Sequence, residues 1–176
     1  MATWMIDAVH SHVEFSLDYM GLSTWRSGFR RLEGSLSFEE ARPAEASVTA
    51  SIDAASVDVV NERLYGQLMG ADFFDKEHHP AITFRSTRVT PVDARRFKIA
   101  GDLTIKGTTR PVVLETEYRG QAKSPFTGKM VAAFRAETSI DKRDFGLAWN
   151  APVETGATYV GERLTIVLHI AAQRQD

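Results

Sequence analysis

The chain contains no cysteine, which excludes disulfide staples, thiolate metal sites and thiol nucleophiles. It has no excess of basic charge: 21 Lys and Arg stand against 23 Asp and Glu, a formal net charge of −2. So balanced a surface is poorly suited to neutralising a run of phosphates, and nucleic-acid binding is not expected. No apolar run approaches the roughly 18–20 residues that cross a bilayer as a helix, so no membrane span is read. The longest run, Leu164 to Ala172, is strand-length and interrupted by His169. There is no glycine-rich phosphate loop, no HExxH pair and no strand-to-helix serine elbow. The N-terminus lacks a basic region followed by an apolar stretch. A cytoplasmic location is therefore expected, or a periplasmic one if a leader has been removed.

What the sequence does have is period two. Val13, Phe15, Leu17 and Tyr19 alternate with Glu14, Ser16 and Asp18. The pattern returns in 32–38, 46–52, 97–105, 112–118, 130–140 and 164–170, and briefly at Ile82 and Phe84. Alternation of this kind marks strands with one buried face. Turn residues separate them: Arg42-Pro43, Thr90-Pro91, Lys106-Gly107, Arg119-Gly120 and 124–128. The stretch from Lys106 to Pro111 suits a hairpin loop. Asn61 to Met69 breaks the pattern, with Leu64 and Leu68 one helical turn apart and Asn61 placed to cap. With 176 residues, 43% of them hydrophobic, one domain over 1–176 is expected. The fold class is all-β: an eight-stranded antiparallel barrel or sandwich with a short helix over one opening.

Eight strands sit at the boundary between a filled barrel and one that holds a ligand. Gly34, Ala46, Ala50, Gly101, Ala132 and Ala136 fall on the inward face and leave volume. Phe15, Phe38, Phe84 and Phe134 could fill it by interdigitation. Composition leaves both readings open. Trp4, Trp25 and Trp149 serve either as barrel-end plugs or as a ring at a cavity mouth.

Residues that could carry chemistry are few. His10 and His12 stand two apart on a strand, so they share a face and could bind a metal together; the plainer reading is an outer polar pair. His78-His79-Pro80 reads as a loop before a strand. Asp7, His10 and Ser11 are triad residue types, but neighbours on one strand do not line up as nucleophile, base and orienter. Arg143 and Asp144 read as a turn-fixing pair. No catalytic residue and no metal ligand is assigned.

Several blocks, in this order, resemble the YceI-like family of lipocalin-like polyisoprenoid-binding proteins. They are Trp4-x-Ile6-Asp7, His10-Ser11-x-Val13-x-Phe15, Ala71-Asp72-Phe73-Phe74-Asp75, His79-Pro80-x-Ile82-Thr83-Phe84, Leu103-Thr104-Ile105-x-Gly107 and Arg143-Asp144-Phe145-Gly146-Leu147. The resemblance implies an eight-stranded antiparallel lipocalin-like barrel with a helix near its mouth. It also implies an apolar tunnel for a long-chain apolar lipid, and a homodimer. The function so implied is non-enzymatic binding, storage or transport of a long-chain isoprenoid or similar amphiphile. No cofactor is expected beyond a bound polyisoprenoid or quinone-like lipid. Ligand contacts are expected from Phe15, Leu17, Tyr19, Leu36, Phe38, Phe73, Phe84, Leu103, Phe134, Trp149, Ile166 and Leu168, with Leu64, Tyr65 and Leu68 lining or covering the mouth. Family members often carry Arg-His where this chain has Asp18-Tyr19, Arg-Asp-x-His-Leu where it has Leu64-Tyr65-Gly66-Gln67-Leu68, and His in place of Lys106. Head-group contacts and the tether of the mouth helix should differ accordingly. Two other functions compete. An enzyme acting on an apolar substrate needs an inward titratable group, and a protein-binding stress-response module needs a filled barrel.

Overall fold

The computed structural model describes residues 1–175. The alternating segments form β2 (His12–Tyr19), β4 (Leu32–Phe38), β5 (Ser47–Asp53), β6 (Ala81–Pro91), β7 (Arg96–Ile105), β8 (Thr108–Lys123), β9 (Met130–Asp141) and β10 (Arg163–Arg174). Two further strands, β1 (Ala2–Ile6) and β3 (Ser23–Phe29), lack a clear apolar rhythm, and α1 (Glu62–Met69) lies between β5 and β6. The sheet runs β1-β4-β5-β6-β7-β8-β9-β10 and closes where β10 returns to β1. Every strand pairing among the described residues is antiparallel.

β1 and β2 lie end to end along β10, which pairs with β1 through residues 172–174 and with β2 through 165–169. β4 flanks β1 as β3 flanks β2. Ten segments thus build an eight-stranded closed barrel, two of whose staves are each broken once. Residues 7–11 loop out at the first break, and Ser11 closes it. Its Oγ donates to Ala171 O at 3.1 Å and accepts from Ala171 N at 2.9 Å. The second break, at Arg30 and Arg31, is held from the segment after β5: Arg30 N donates to Ser56 O, and Arg31 N donates to Ser56 Oγ.

The β7–β8 turn is shorter than the sequence suggests. It consists of Lys106 and Gly107, with φ of 51° and 75°, as a two-residue hairpin requires. Thr108 to Pro111 belong to β8 instead. β9 joins β8 only from Glu115, so Pro111 sits where one edge of its strand carries no ladder. The helix forms as its residues dictate. The Asn61 Oδ1 accepts from Leu64 N at 2.9 Å, and Leu68 is buried.

The interior divides into two clusters. At one end Trp4, Phe38, Phe97 and Tyr118 are buried with Ala132 and Ala172. The Trp4 Nε1 donates to Phe38 O at 3.1 Å, and the Phe38 ring lies 5.0 Å from that of Tyr118 and 5.1 Å from that of Phe134. Each such ring taken out of water contributes roughly 1.5–3 kcal/mol. This cluster is the floor of the barrel. At the other end Phe15, Phe29, Ile82, Leu103 and Phe145 pack beneath Leu64, Leu68, Phe73 and Phe74.

Candidate functional site

Between the two clusters the barrel is hollow. A cavity of about 660 Å³ runs along it, within the range of roughly 300–1,000 Å³ typical of small-molecule sites. The filled-barrel reading is therefore set aside, and the small inward residues show why. A Cβ on Gly101 would lie 2.4 Å from Phe84 Cζ, so Phe84 occupies that gap. A Cβ on Gly34 would lie 2.3 Å from Thr49 O, because β4 and β5 approach closely there. Ala132 is packed into the floor. Ala46, Ala50 and Ala136 face the cavity, and nothing fills the space they leave.

The wall comes from the inward positions of the strands. Phe15, Leu17 and Tyr19 of β2, Leu36 and Phe38 of β4, Phe84 of β6, Leu103 of β7, Phe134 of β9, and Ile166 and Leu168 of β10 all line it. Leu64, Leu68, Phe73 and Trp149 line it from the helix and loops. Tyr65, expected with them, is not on the wall. Its hydroxyl donates to Ala55 O at 2.8 Å, which anchors the helix to the turn after β5. Six wall residues that reach solvent lie at the helix end: Tyr19, Ser23, Thr24, Gln67, Trp149 and Tyr159. This is the mouth. Its rim is an aromatic chain: Phe73 to Trp149 at 5.6 Å, Trp149 to Tyr159 at 5.9 Å and Tyr159 to Tyr19 at 5.3 Å. Hydrogen bonding to Tyr159 holds the Tyr19 hydroxyl above its ordinary pKa. The tryptophans thus divide between the two roles: Trp4 plugs the floor, while Trp25 and Trp149 line the cavity.

One charged residue on the wall was not anticipated. Lys142 is buried at the end of β9. Its Nζ donates to Leu147 O at 2.6 Å and to Trp149 O at 3.0 Å. Glu162 Oε2 lies 3.2 Å from it but lacks the alignment of a hydrogen bond. The Glu162 Oε1 accepts from Asn150 Nδ2 at 2.7 Å, and the same nitrogen donates to Val160 O at 2.7 Å. Together these residues tie down the loop that presents Trp149 and Tyr159. Ile140 is the last inward residue of β9. Two positions further on, the same rhythm points at Lys142, and that was the available signal.

The other candidates lie away from the cavity. His10 is in the looped-out segment and not on a strand. Its Nδ1 meets Asp7 Oδ2 at 2.7 Å, which is the main reason the Asp7 carboxyl lies below its ordinary pKa. His12 instead stacks on His169, ring centres 4.7 Å apart. Ser11 is committed to Ala171, so the three triad types form no catalytic line. No group of three or more metal-ligating side chains occurs among the described residues. His78 and His79 lie in a loop, with His78 Nδ1 2.9 Å from Asp75 Oδ1. Lys106 Nζ donates to Ala71 O, bracing the loop after the helix. Arg143 fixes its turn through Asp141, not Asp144. Its Nη2 lies 2.6 Å from Asp141 Oδ2, and this pairing pulls the Asp141 carboxyl down to about 2.

Comparison with known proteins gives a consistent picture. The sequence profile of the YceI-like domain matches residues 4–172. Protein YceI of Escherichia coli O157:H7 is 36% identical over 138 residues, which covers 78% of this chain and 71% of that protein. Burkholderia cenocepacia BcnA superposes with a TM-score of 0.82 at 22% identity, over 94% of this chain and 98% of its own. A polyisoprenoid binding domain from Saccharophagus degradans, implicated in plant cell wall breakdown, gives a TM-score of 0.74 at 13% identity, over 99% of this chain and 100% of its own. At those identities the two structures share a fold with this chain.

Proposed function

The chain belongs to the YceI-like family, and from that premise we propose that it is a non-enzymatic carrier or store for a long-chain isoprenoid or similar amphiphilic lipid. The observation that carries this reading is the cavity: about 660 Å³, walled mainly by aliphatic and aromatic side chains, with a solvent-reaching mouth at the helix end that presents Tyr19, Ser23, Thr24, Gln67 and Tyr159. That arrangement matches a molecule with a long apolar tail and a small polar head. Each tail methylene taken from water contributes about 0.8 kcal/mol. Roughly fifteen of them contribute about 12 kcal/mol, which after ordering costs of several kcal/mol is on the scale of micromolar binding. Such binding needs no specific polar contact, and it discriminates weakly between tails. The Saccharophagus degradans domain, described as binding polyisoprenoid, supports the choice of tail.

Native mass spectrometry of freshly purified protein, followed by organic extraction, tests the proposal. A stoichiometric long-chain species is expected, and the same spectrum reads the expected homodimer. Ala136 is buried and faces the cavity. Ala136→Phe should fill the space and lower lipid occupancy about tenfold or more while the strands stay folded by circular dichroism. Protein that remains bare after incubation with isoprenoid lipids would refute the carrier reading.

A further inference from the structure

We infer that the ligand of this cavity is electrically neutral: a long-chain amphiphile whose head hydrogen-bonds without carrying charge, such as an alcohol, an ester or a quinone, and not a carboxylic acid or a phosphate. The inference rests on the binding reading above and narrows it. Among the described residues of the wall, Lys142 alone carries charge. A lone ammonium in an apolar cavity would anchor an acid, but this one is already spent. Two of its donor directions go to Leu147 O and Trp149 O, and Glu162 Oε2 sits 3.2 Å away. An anion arriving beside it meets a matched pair whose carboxylate repels it, not a free cation. The side chain of Lys142 is 4% exposed, so it cannot swing out to meet a head group without abandoning the loop it holds.

The remaining polar groups at the mouth are hydroxyls and one amide, from Tyr19, Ser23, Thr24, Tyr159 and Gln67. Uncharged donors and acceptors suit an uncharged head. They do not offset the removal of a carboxylate or phosphate from water, which is far costlier than burying a neutral polar group. A head held at this mouth is thus selected against charge of either sign: an anion finds no free cation, and a cation finds no free carboxylate on the wall.

The test uses two ligands matched in chain length, hexadecan-1-ol and hexadecanoic acid, delivered from cyclodextrin to the intact chain. Trp25 and Trp149 line the cavity, so their fluorescence reports occupancy, with native mass spectrometry as the direct check. At about pH 8 the alcohol should bind about tenfold more tightly than the acid, or better. The acid should gain affinity as the pH falls to about 5 and its carboxyl takes up a proton. The alcohol should show no such change. Equal affinity at the higher pH, or an acid that gains nothing on acidification, overturns the inference and leaves the carrier reading standing. If neither ligand binds, the carrier reading falls and this inference falls with it.

Discussion

At the scale of single residues, Lys142 organises the mouth. It stands where β9 would otherwise place one more apolar side chain, and it converts that position into a clamp on the loop carrying Trp149. Lys142→Met removes the cation, orphans two carbonyls and leaves Glu162 with only the more distant Arg143 guanidinium, 3.7 Å away, as charge partner. Breaking a buried pair in this way costs about 3 kcal/mol, to be read as a lower urea midpoint with an unchanged slope. Trp149 should become more exposed in the variant's native-state fluorescence. Much of the wall was legible at this scale. Phe15, Leu17, Leu36, Phe134 and Leu168 follow from alternation alone, because a strand's inward face is set by a two-residue period. Tyr65 was not legible. Leu64, Leu68 and Tyr65 all face the barrel end, and which of them touches the cavity depends on how the helix is docked. Ala55 decides that by accepting the Tyr65 hydroxyl.

At the scale of elements, the broken staves explain what the sequence pattern missed. β3 carries only Trp25 and Phe29 as large apolar residues, since most of its length lies at the mouth, where one face is not fully covered. β1 is five residues long, too short for alternation to stand out. The helix was legible because its signals are local: a capping Asn61 and two leucines one turn apart. Asn61→Ala removes the cap at a cost of about 1 kcal/mol. The helix roofs the cavity through Leu64 and Leu68, so this loss should appear locally first. Amide exchange in residues 62–69 should accelerate while the central strands keep their protection. If protection fell evenly across the barrel, the helix would be part of one cooperative unit and not a separable roof. The irregular loop around Trp149 and Tyr159 was beyond sequence reasoning, because its shape is set by long-range partners such as Asn150 with Glu162.

At the scale of the whole molecule, closure follows from the one-sided strands, while hollowness does not. Both outcomes were open on composition, and the difference lies in which small residues are occupied: Phe84 fills the gap at Gly101, and nothing fills the gap at Ala136. The aromatic floor has a further consequence in time. With Trp4, Phe38, Phe97 and Tyr118 closing one end, the barrel is a dead-end tube, and a tail leaves by the way it entered. A newcomer has no rear door through which to push the occupant out. Exchange is therefore a queue: the site must empty before it refills. The displacement rate of a bound fluorescent lipid, followed by stopped flow, should stay flat as competitor concentration rises over about a hundredfold, its value being the dissociation rate alone. A rate that climbs in proportion to competitor would mean that the floor opens.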